Sequence, residues 1–383
     1  MQIFLNRFLP CGSHRKICSL LKKPSGAAFL LVLFFSLAGC STVGYYSQIV
    51  SGHMRIVLGK RPVAEIVSDE SVDDNIKHSL QVAQKARHFA VEQLGLPDNK
   101  SYTSFYDTGK RFVTWNVVAA EEFSFNPAVW CFPIAGCVSY RGYYTEEDAS
   151  AYAQGLADQG LDVAVNGATA YSTLGWFKDP LLNTMIRRSD FSLASLLFHE
   201  LAHQQLYVGD DSAFNESFAT FVELEGLRQW QRHEEENNPS AQLTEMSKRL
   251  AARKQRREEF IQLLSRTKDD LQELYESPIE EEEMRAAKLA RFDQMRDEYE
   301  VLKESWDGFN GYDNWFKRGL NNARLVSVAT YNEYVPAFEE MFKQNGSSFE
   351  KFYTKALEVS KLPATERTEI MQQLLTKVAS ASN

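Results

Sequence analysis

The chain has 383 residues, 44% hydrophobic and 24% charged, enough for a large buried core and more than one structural unit. Its formal charge is −9, and the excess of acidic over basic residues argues against nucleic acid as a partner.

The first 39 residues differ from the rest. Arg7, Arg15, Lys16, Lys22 and Lys23 are matched by no acid, and an apolar run from Gly26 to Leu37 follows, interrupted only by Ser36. That run is short of the ~20 residues a membrane-spanning helix needs. A basic segment, a short apolar segment and small residues describe a signal peptide over residues 1–39. The ending Leu37-Ala38-Gly39-Cys40 resembles the bacterial lipobox, which makes Cys40 the acylated first residue of the mature chain. The basic segment is long for its kind, so translation can start downstream of Met1. Ser41 fits sorting to the periplasmic face of the outer membrane, with the membrane reached through the lipid anchor. Loss of residues 1–39 removes 5 of 42 basic residues, so the mature charge is 37 − 51 = −14. Of five cysteines, Cys131 and Cys137 then remain, and in an oxidising compartment they read as a small disulfide loop. A metal pair is the rival, although zinc pairs sit closer in sequence.

Residues 68–94 keep helical spacing at Ile76, Leu80, Ala83, Ala90 and Leu94, and Gly95 with Pro97 ends the run. "SYTSFYDTGKRFVTWNVVAA" and "CVSYRGYY" are rich in Tyr, Phe, Val, Thr and Trp and predict strands of a small sheet, with Asp-Thr-Gly as a turn. "TEEDASAYAQGLADQG" predicts a helix opened by Thr145, and "LDVAVNGATAY" a further strand. Ser192 is placed to cap the next helix, which Gly209-Asp210-Asp211 breaks; another starts near Ser212 or Asn215.

After Trp230 the sequence turns strongly charged. Leu243, Met246, Leu250, Phe260, Leu264, Leu271 and Leu274 follow a 3-4 spacing, and Phe292, Met295, Tyr299, Leu302 and Trp306 form a second series beyond Ser277-Pro278. Two amphipathic helices so joined predict an antiparallel hairpin over residues 231–306, inserted between residues 40–230 and a helical part at 307–383. Its charge is a solvated face, and the hairpin offers a docking arm for a protein partner. The fold class expected is α+β: a mostly helical, zincin-like unit with a small sheet and an inserted helical hairpin.

"FHELAHQQL", residues 198–206, carries the chemistry. On a helix, positions i and i+4 share a face, so His199 and His203 can both address one metal ion. Glu200 is placed to take a proton from metal-activated water. A third ligand is needed, and the next histidine, His233, lies 30 positions beyond His203 (233 − 203). Glu216, in "NESFA", is the leading candidate; Asp210 and Asp211 are its rivals, and the bland alternative makes it a surface acid. Glu223, seven positions on, shares its helical face and can orient a ligand.

The stretches "WCFPIAGCVSYRGYY", "AYSTLGWFKDPLL", "FHELAHQQLYVGDD", "FNESFATFVE" and "LNNARLVSVATYNEYVPAF" resemble the putative zinc aminopeptidase family of bacterial exported proteins. The resemblance runs from about Gly39 to the C-terminal region. It implies a zinc cofactor held by His199, His203 and Glu216, with Glu200 as base and peptides as substrates. One departure is that only twelve residues (216 − 203 − 1) separate His203 from Glu216, fewer than in thermolysin-like enzymes. An aminopeptidase must also recognise a free amine, for which Glu122 is a candidate, although a solvated loop acid is the simpler reading. Arg141 and Tyr143 can line a cleft for an extended peptide or simply pack the sheet. Tyr331 can stabilise an oxyanion or be an ordinary tyrosine. An endopeptidase or other amide hydrolase remains the alternative within enzymes. A non-catalytic envelope docking protein with structural zinc is the alternative outside them, and an intact Glu200 argues against it.

Overall fold

The computed structural model describes residues 26–132, 136–170, 172–237, 239 and 241–381, with the side chains of 26–42, 241–244, 246 and 381 left out. The expected signal peptide therefore lies outside the described residues apart from helical backbone beginning at Gly26, and so does the Cys40 side chain. The chain divides into two compact units, Met1–Val50 and Ser51–Asn383. Helix α1, Gly26–Gly59, crosses the division, and every later element belongs to the second unit. No helix among the described residues is long and apolar enough to cross a membrane.

Strand β1 (Arg61–Pro62) and the short helix α2 (Val63–Ser68) lead to α3 (Asp74–Glu92). Asp73 caps α3 by accepting from the Asn75 amide at 2.9 Å. Gly95, at φ +66°, lets Leu96 N–H return to Ala90 C=O at 3.0 Å and closes the helix end. The expected helix over 68–94 is thus a turn plus α3. Its buried residues Leu80, Ala83, Ala86, Phe89 and Ala90 share one face.

The sheet expectation holds in a fragmented form. Strand β2 (Ser104–Tyr106) pairs antiparallel with β1 and parallel with β8 (Leu181–Leu182). Strand β3 (Thr114–Ala120) is the central one, lying between β6 (Arg141–Tyr143) and the equally long β7 (Asp162–Ala168). Thr114 faces Ala168 and Ala120 faces Asp162, so all seven residues pair. Strands β4 (Trp130–Phe132) and β5 (Gly136–Val138) form a separate hairpin in which Cys131 faces Cys137 and their Sγ atoms are 1.97 Å apart. Helix α4 (Glu146–Ala157) packs on β3 and β7; Thr145 caps it by accepting from Asp148 N–H at 3.2 Å.

After the single turn α5 (Asn183–Ile186) come α6 (Asp190–Gln205) and α7 (Ser212–Asn237), the most extensively packed pair of helices. Helix α6 begins two residues before the expected cap. Ser189 is its N-cap residue, and Ser192 instead accepts from Arg253 at 2.6 Å. Phe191, Leu193, Ala194, Leu197, Phe198, Leu201 and Ala202 are all buried, so α6 is a central helix with little polar face.

Helix α7 continues past the expected boundary at residue 231, where His233 still packs on Phe89 with ring centres 5.2 Å apart. Helices α8 (Ala241–Tyr275) and α9 (Glu281–Ser305) follow, then α10 (Asp313–Lys317), α11 (Asn322–Ala329), α12 (Val335–Gln344), α13 (Phe349–Ser360) and α14 (Ala364–Ala381). Arg291 pairs with Asp270 at 2.7 Å and Trp306 donates to Glu259, so α8 and α9 run antiparallel.

The hairpin's apolar stripe is not exposed. Phe260, Leu263, Leu264, Leu271, Phe292, Met295 and Tyr299 share one core with Val118 and Ala164 of the sheet and Ala323, Leu325 and Val326 of α11. A polar seam adds to it. Lys288, 5% exposed, donates to Asp162 Oδ2 at 2.7 Å and to Glu122 C=O at 2.6 Å. Fully buried Asn322 donates to the carbonyls of Glu121, Glu122 and Ser124 and accepts from Tyr275 O–H. The hairpin is therefore a wall of the folded unit, and a docking arm would have to use its outer, charged face.

Removing one partner of a buried ion pair strands the other. Asp162→Ala should cost about 3–5 kcal/mol of stability in urea unfolding; Lys288→Met should cost distinctly less, because Asp162 is more exposed than Lys288 and keeps the Asn322 N–H donor at 2.8 Å.

Candidate active site

His199 and His203 lie one turn apart on α6, and Glu216 projects toward them from the second turn of α7. The His199 and His203 Nε2 atoms are 3.2 Å apart. Glu216 Oε2 is 3.4 Å from the first and 3.5 Å from the second. A tetrahedral ion with bonds of about 2.0–2.1 Å sets its ligand atoms about 3.3 Å apart. The three atoms therefore form one face of such a tetrahedron and leave the fourth vertex free. Both imidazoles are 9% exposed. Glu216 Oε2 and His203 Nδ1 are buried without a hydrogen-bond partner. A buried carboxylate oxygen with no donor, aimed at two imidazole nitrogens, is what a cation site needs.

The electrostatics agree. Burial opposes an imidazolium at His199, but the Glu216 and Glu223 carboxylates outweigh it and hold the pKa well above its ordinary value. Burial likewise opposes ionised Glu216, yet His203 and His199 hold its pKa down to about 2. Glu200, 8% exposed, is pushed up by burial, with the histidines acting against that and Glu216 adding to it. Two carboxylates of this cluster thus favour the ionised form, and the third is biased toward holding a proton.

A second layer orients His199. Its Nδ1 lies 3.1 Å from Glu223 Oε2, and Ser195 Oγ donates to Glu223 Oε1 at 2.5 Å. Donation from Nδ1 leaves the Nε2 lone pair facing the site. Ser195 and His199 are i and i+4 on α6, and Glu223 is i+7 from Glu216 on α7, so helical periodicity places all four.

The rivals for the third ligand are engaged elsewhere. Asp210 Oδ1 accepts from Cys137 N–H at 2.5 Å. Asp211 caps α7 through Phe214 N–H and pairs with Arg367 of α14 at 2.7 Å. The break between the helices is fixed as well, with Asn215 bridging both backbone atoms of Val208.

Of the substrate-side candidates, only Tyr331 reaches the cluster. Its ring lies 6.2 Å from that of His199 at 24°, and Glu216 is the main cause of its raised phenol pKa. Glu122 is held instead by both arms of the Arg285 guanidinium, at 2.5 and 2.8 Å, which keeps its carboxyl below the usual range. An acid so committed has no free oxygen pair to offer an amine. Arg141 lies over the Tyr152 ring at 4.5 Å, and Tyr143 is 6% exposed beside the same ring. Both therefore pack the α4 face of the sheet.

Two arginines of α8 were missed at the level of sequence. Arg257 donates to Asn332, the neighbour of Tyr331, at 2.6 Å, and Arg253 donates to Ser192 at the start of α6. Only the fold could reveal them, because they arrive from the hairpin.

Loss of the carboxylate behind a metal-bound imidazole typically weakens metal binding 10–100-fold. Glu223→Ala should show that loss in chelator competition with zinc, whereas Asp210→Ala should leave affinity within about twofold.

No curated protein and no solved structure matches the chain. A family model described as "Putative aminopeptidase" matches residues 44–371, which is 328 of the 383 (371 − 44 + 1). By this match, and with the His-Glu-x-x-His helix inside it, the chain belongs to the putative aminopeptidase family.

Proposed function

We propose that the protein is a zinc-dependent aminopeptidase, with His199, His203 and Glu216 as ligands and Glu200 as general base. The observation that carries this reading is the triangle of three donor atoms, 3.2–3.5 Å on a side, with one free vertex and a carboxylate oxygen lacking any donor. Zinc bound there would act as a Lewis acid, lowering the pKa of water to about 7 and polarising the scissile carbonyl.

This chain's own residues do the rest. Glu223, buttressed by Ser195, fixes the His199 tautomer. Glu200, one position along α6 from His199, takes the proton of the attacking water and passes it to the leaving amine. Its burial, which raises its pKa, moves it toward the range where a carboxylate exchanges protons near neutrality. Tyr331, whose ring stacks near that of His199, would donate to the oxyanion, and its raised pKa favours the protonated phenol that this needs. Leu197, Leu201 and Ala202, all at most 1% exposed, back the helix with apolar packing.

The reading extends to the cell envelope. Residues 1–39 are a signal peptide, Cys40 is acylated, and the mature enzyme faces the periplasm with Cys131 and Cys137 joined. The facing positions of the two cysteines across β4 and β5 support the last point.

The protein should bind about one zinc per chain, with His203→Ala losing it. Glu200→Gln should keep zinc and fold, yet lower hydrolysis of unblocked peptides by about 10²–10⁴-fold. Release of single N-terminal residues, blocked by N-acetylation, is the expected outcome. Cleavage of acetylated peptides at internal bonds would make it an endopeptidase, and full activity of Glu200→Gln would end the mechanism. Mass spectrometry of the exported protein should show an acylated Cys40 at the N-terminus and no free thiol at Cys131 or Cys137.

A further inference from the structure

The part of α1 within the second unit has two unlike faces. Gly52, Ile56 and Gly59 face inward. A Cβ on Gly52 would stand 2.4 Å from the Tyr144 ring, and one on Gly59 2.3 Å from that of Tyr106. Only glycine permits that approach, so the rotation of the helix about its axis is fixed. Ile56 is 3% exposed on this inner face. The rotation turns Met54 (44% exposed) and Leu58 (77%) to solvent. They are i and i+4 and form one apolar strip.

A second apolar element stands beside the same helix. Trp176 is 71% and Phe177 52% exposed, and the Phe177 ring lies 4.8 Å from that of His53 on α1. These aromatics are held out, not frayed. Thr173 C=O accepts from Trp176 N–H and Thr173 Oγ accepts from Phe177 N–H, each at 3.1 Å, while buried Asp179 grips Thr173 at 2.8 and 2.9 Å. Leu174, at φ +55°, adopts a left-handed backbone that an L-residue avoids, and Gly175 follows at +81°. A turn that accepts such backbone while displaying Trp and Phe to water is poorly explained by stability alone.

The surroundings identify the partner. Arg55, Lys60 and Lys178 border the apolar residues, with Lys60 Nζ donating to Lys178 C=O at 2.6 Å. Arg55 and Lys60 donate to backbone carbonyls and make no carboxylate ion pair among the described residues, although the buried Asp179 carboxylate acts on Lys60 from a distance. A cationic border is unexpected on a chain of net charge −9, and it complements anionic headgroups. The proposed acylation site Cys40 precedes Met54 by only 14 residues (54 − 40), so the chain reaches this surface directly from a bilayer.

We propose that Met54, Leu58, Trp176 and Phe177 form a membrane-docking face that seats the catalytic unit on an anionic phospholipid bilayer. Trp and Phe enter the headgroup boundary, and the basic border meets lipid phosphates. The lipid on Cys40 then tethers the chain, and this face fixes how the catalytic unit lies against the bilayer.

The test uses the unacylated chain, residues 41–383, which keeps the whole compact unit from Ser51 onward. It should cosediment with phosphatidylcholine vesicles containing phosphatidylglycerol and much less with phosphatidylcholine alone. The double variant Trp176→Glu, Phe177→Ser should bind at least about tenfold more weakly while hydrolysing soluble peptides as before. Brominated acyl chains should quench wild-type fluorescence, and Trp176→Phe should lose that quenching while still binding. Absence of vesicle binding, unchanged binding of the double variant, or quenching that survives Trp176→Phe would each overturn the proposal. So would self-association without vesicles that the double variant abolishes, since it would make the face a contact between copies of this chain. Because the readout is vesicle binding, inactivity toward every peptide would refute the enzymatic reading and leave this one standing.

Discussion

Gly226 brings α7 so close to α6 and to the end of α3 that a Cβ there would stand 3.1 Å from Phe198 of α6 and 2.7 Å from Leu94, just beyond α3. That approach holds Glu216 and Glu223 of one helix against His199, His203 and Ser195 of the other. Metal–ligand distances tolerate errors of only ~0.2 Å, so the spacing of the two helices must be held by an incompressible interior. Behind the donors, Phe214 and Phe218 of α7 pack on Phe338 at 5.0 and 5.6 Å, and Phe218 stacks on Phe352. The site's geometry is thus a consequence of aromatic packing on the far side of α7.

The same approach concentrates charge. Glu200, Glu216 and Glu223 are three carboxylates gathered around two imidazoles in a buried space. With neutral imidazoles the cluster holds −3, and a divalent cation on the proposed triangle leaves −1. The remaining charge is eased at Glu200, whose pKa burial raises. The two groups best placed to neutralise charge are then the ones the proposed chemistry uses: the ion as Lewis acid and Glu200 as proton carrier.

Distant segments hold the loop between the helices. Gly136, at φ +71°, has no room for a Cβ, which would meet Asp210 Oδ1 at 2.7 Å, so the β4–β5 hairpin rests directly on that loop. Arg367 of α14 holds Asp211 from the C-terminal side of the chain. The α8–α9 hairpin closes a further side, with Arg253 at the head of α6 and Arg257 beside Tyr331. The charge of that hairpin is therefore divided: its outer face meets water, and Arg253 and Arg257 reach the rim of the site.

The sequence by itself determined whatever depends on local periodicity. One helical turn puts His199 beside His203, two turns put Glu223 on the face of Glu216, and Thr145 and Gly95 bound their helices through caps that need only neighbouring residues. The hairpin's apolar stripe was legible for the same reason, and so were two cysteines close enough in sequence to face each other across one short turn. What the stripe packs against was not, since Val118 of the sheet core lies 142 residues before Phe260 (260 − 118). Glu122 and the Arg141–Tyr143 pair show the limit most clearly. The first is claimed by Arg285, 163 residues distant, and the second packs against Tyr152 of α4. Periodicity fixes which residues share a face, but only tertiary packing decides which face looks into the site.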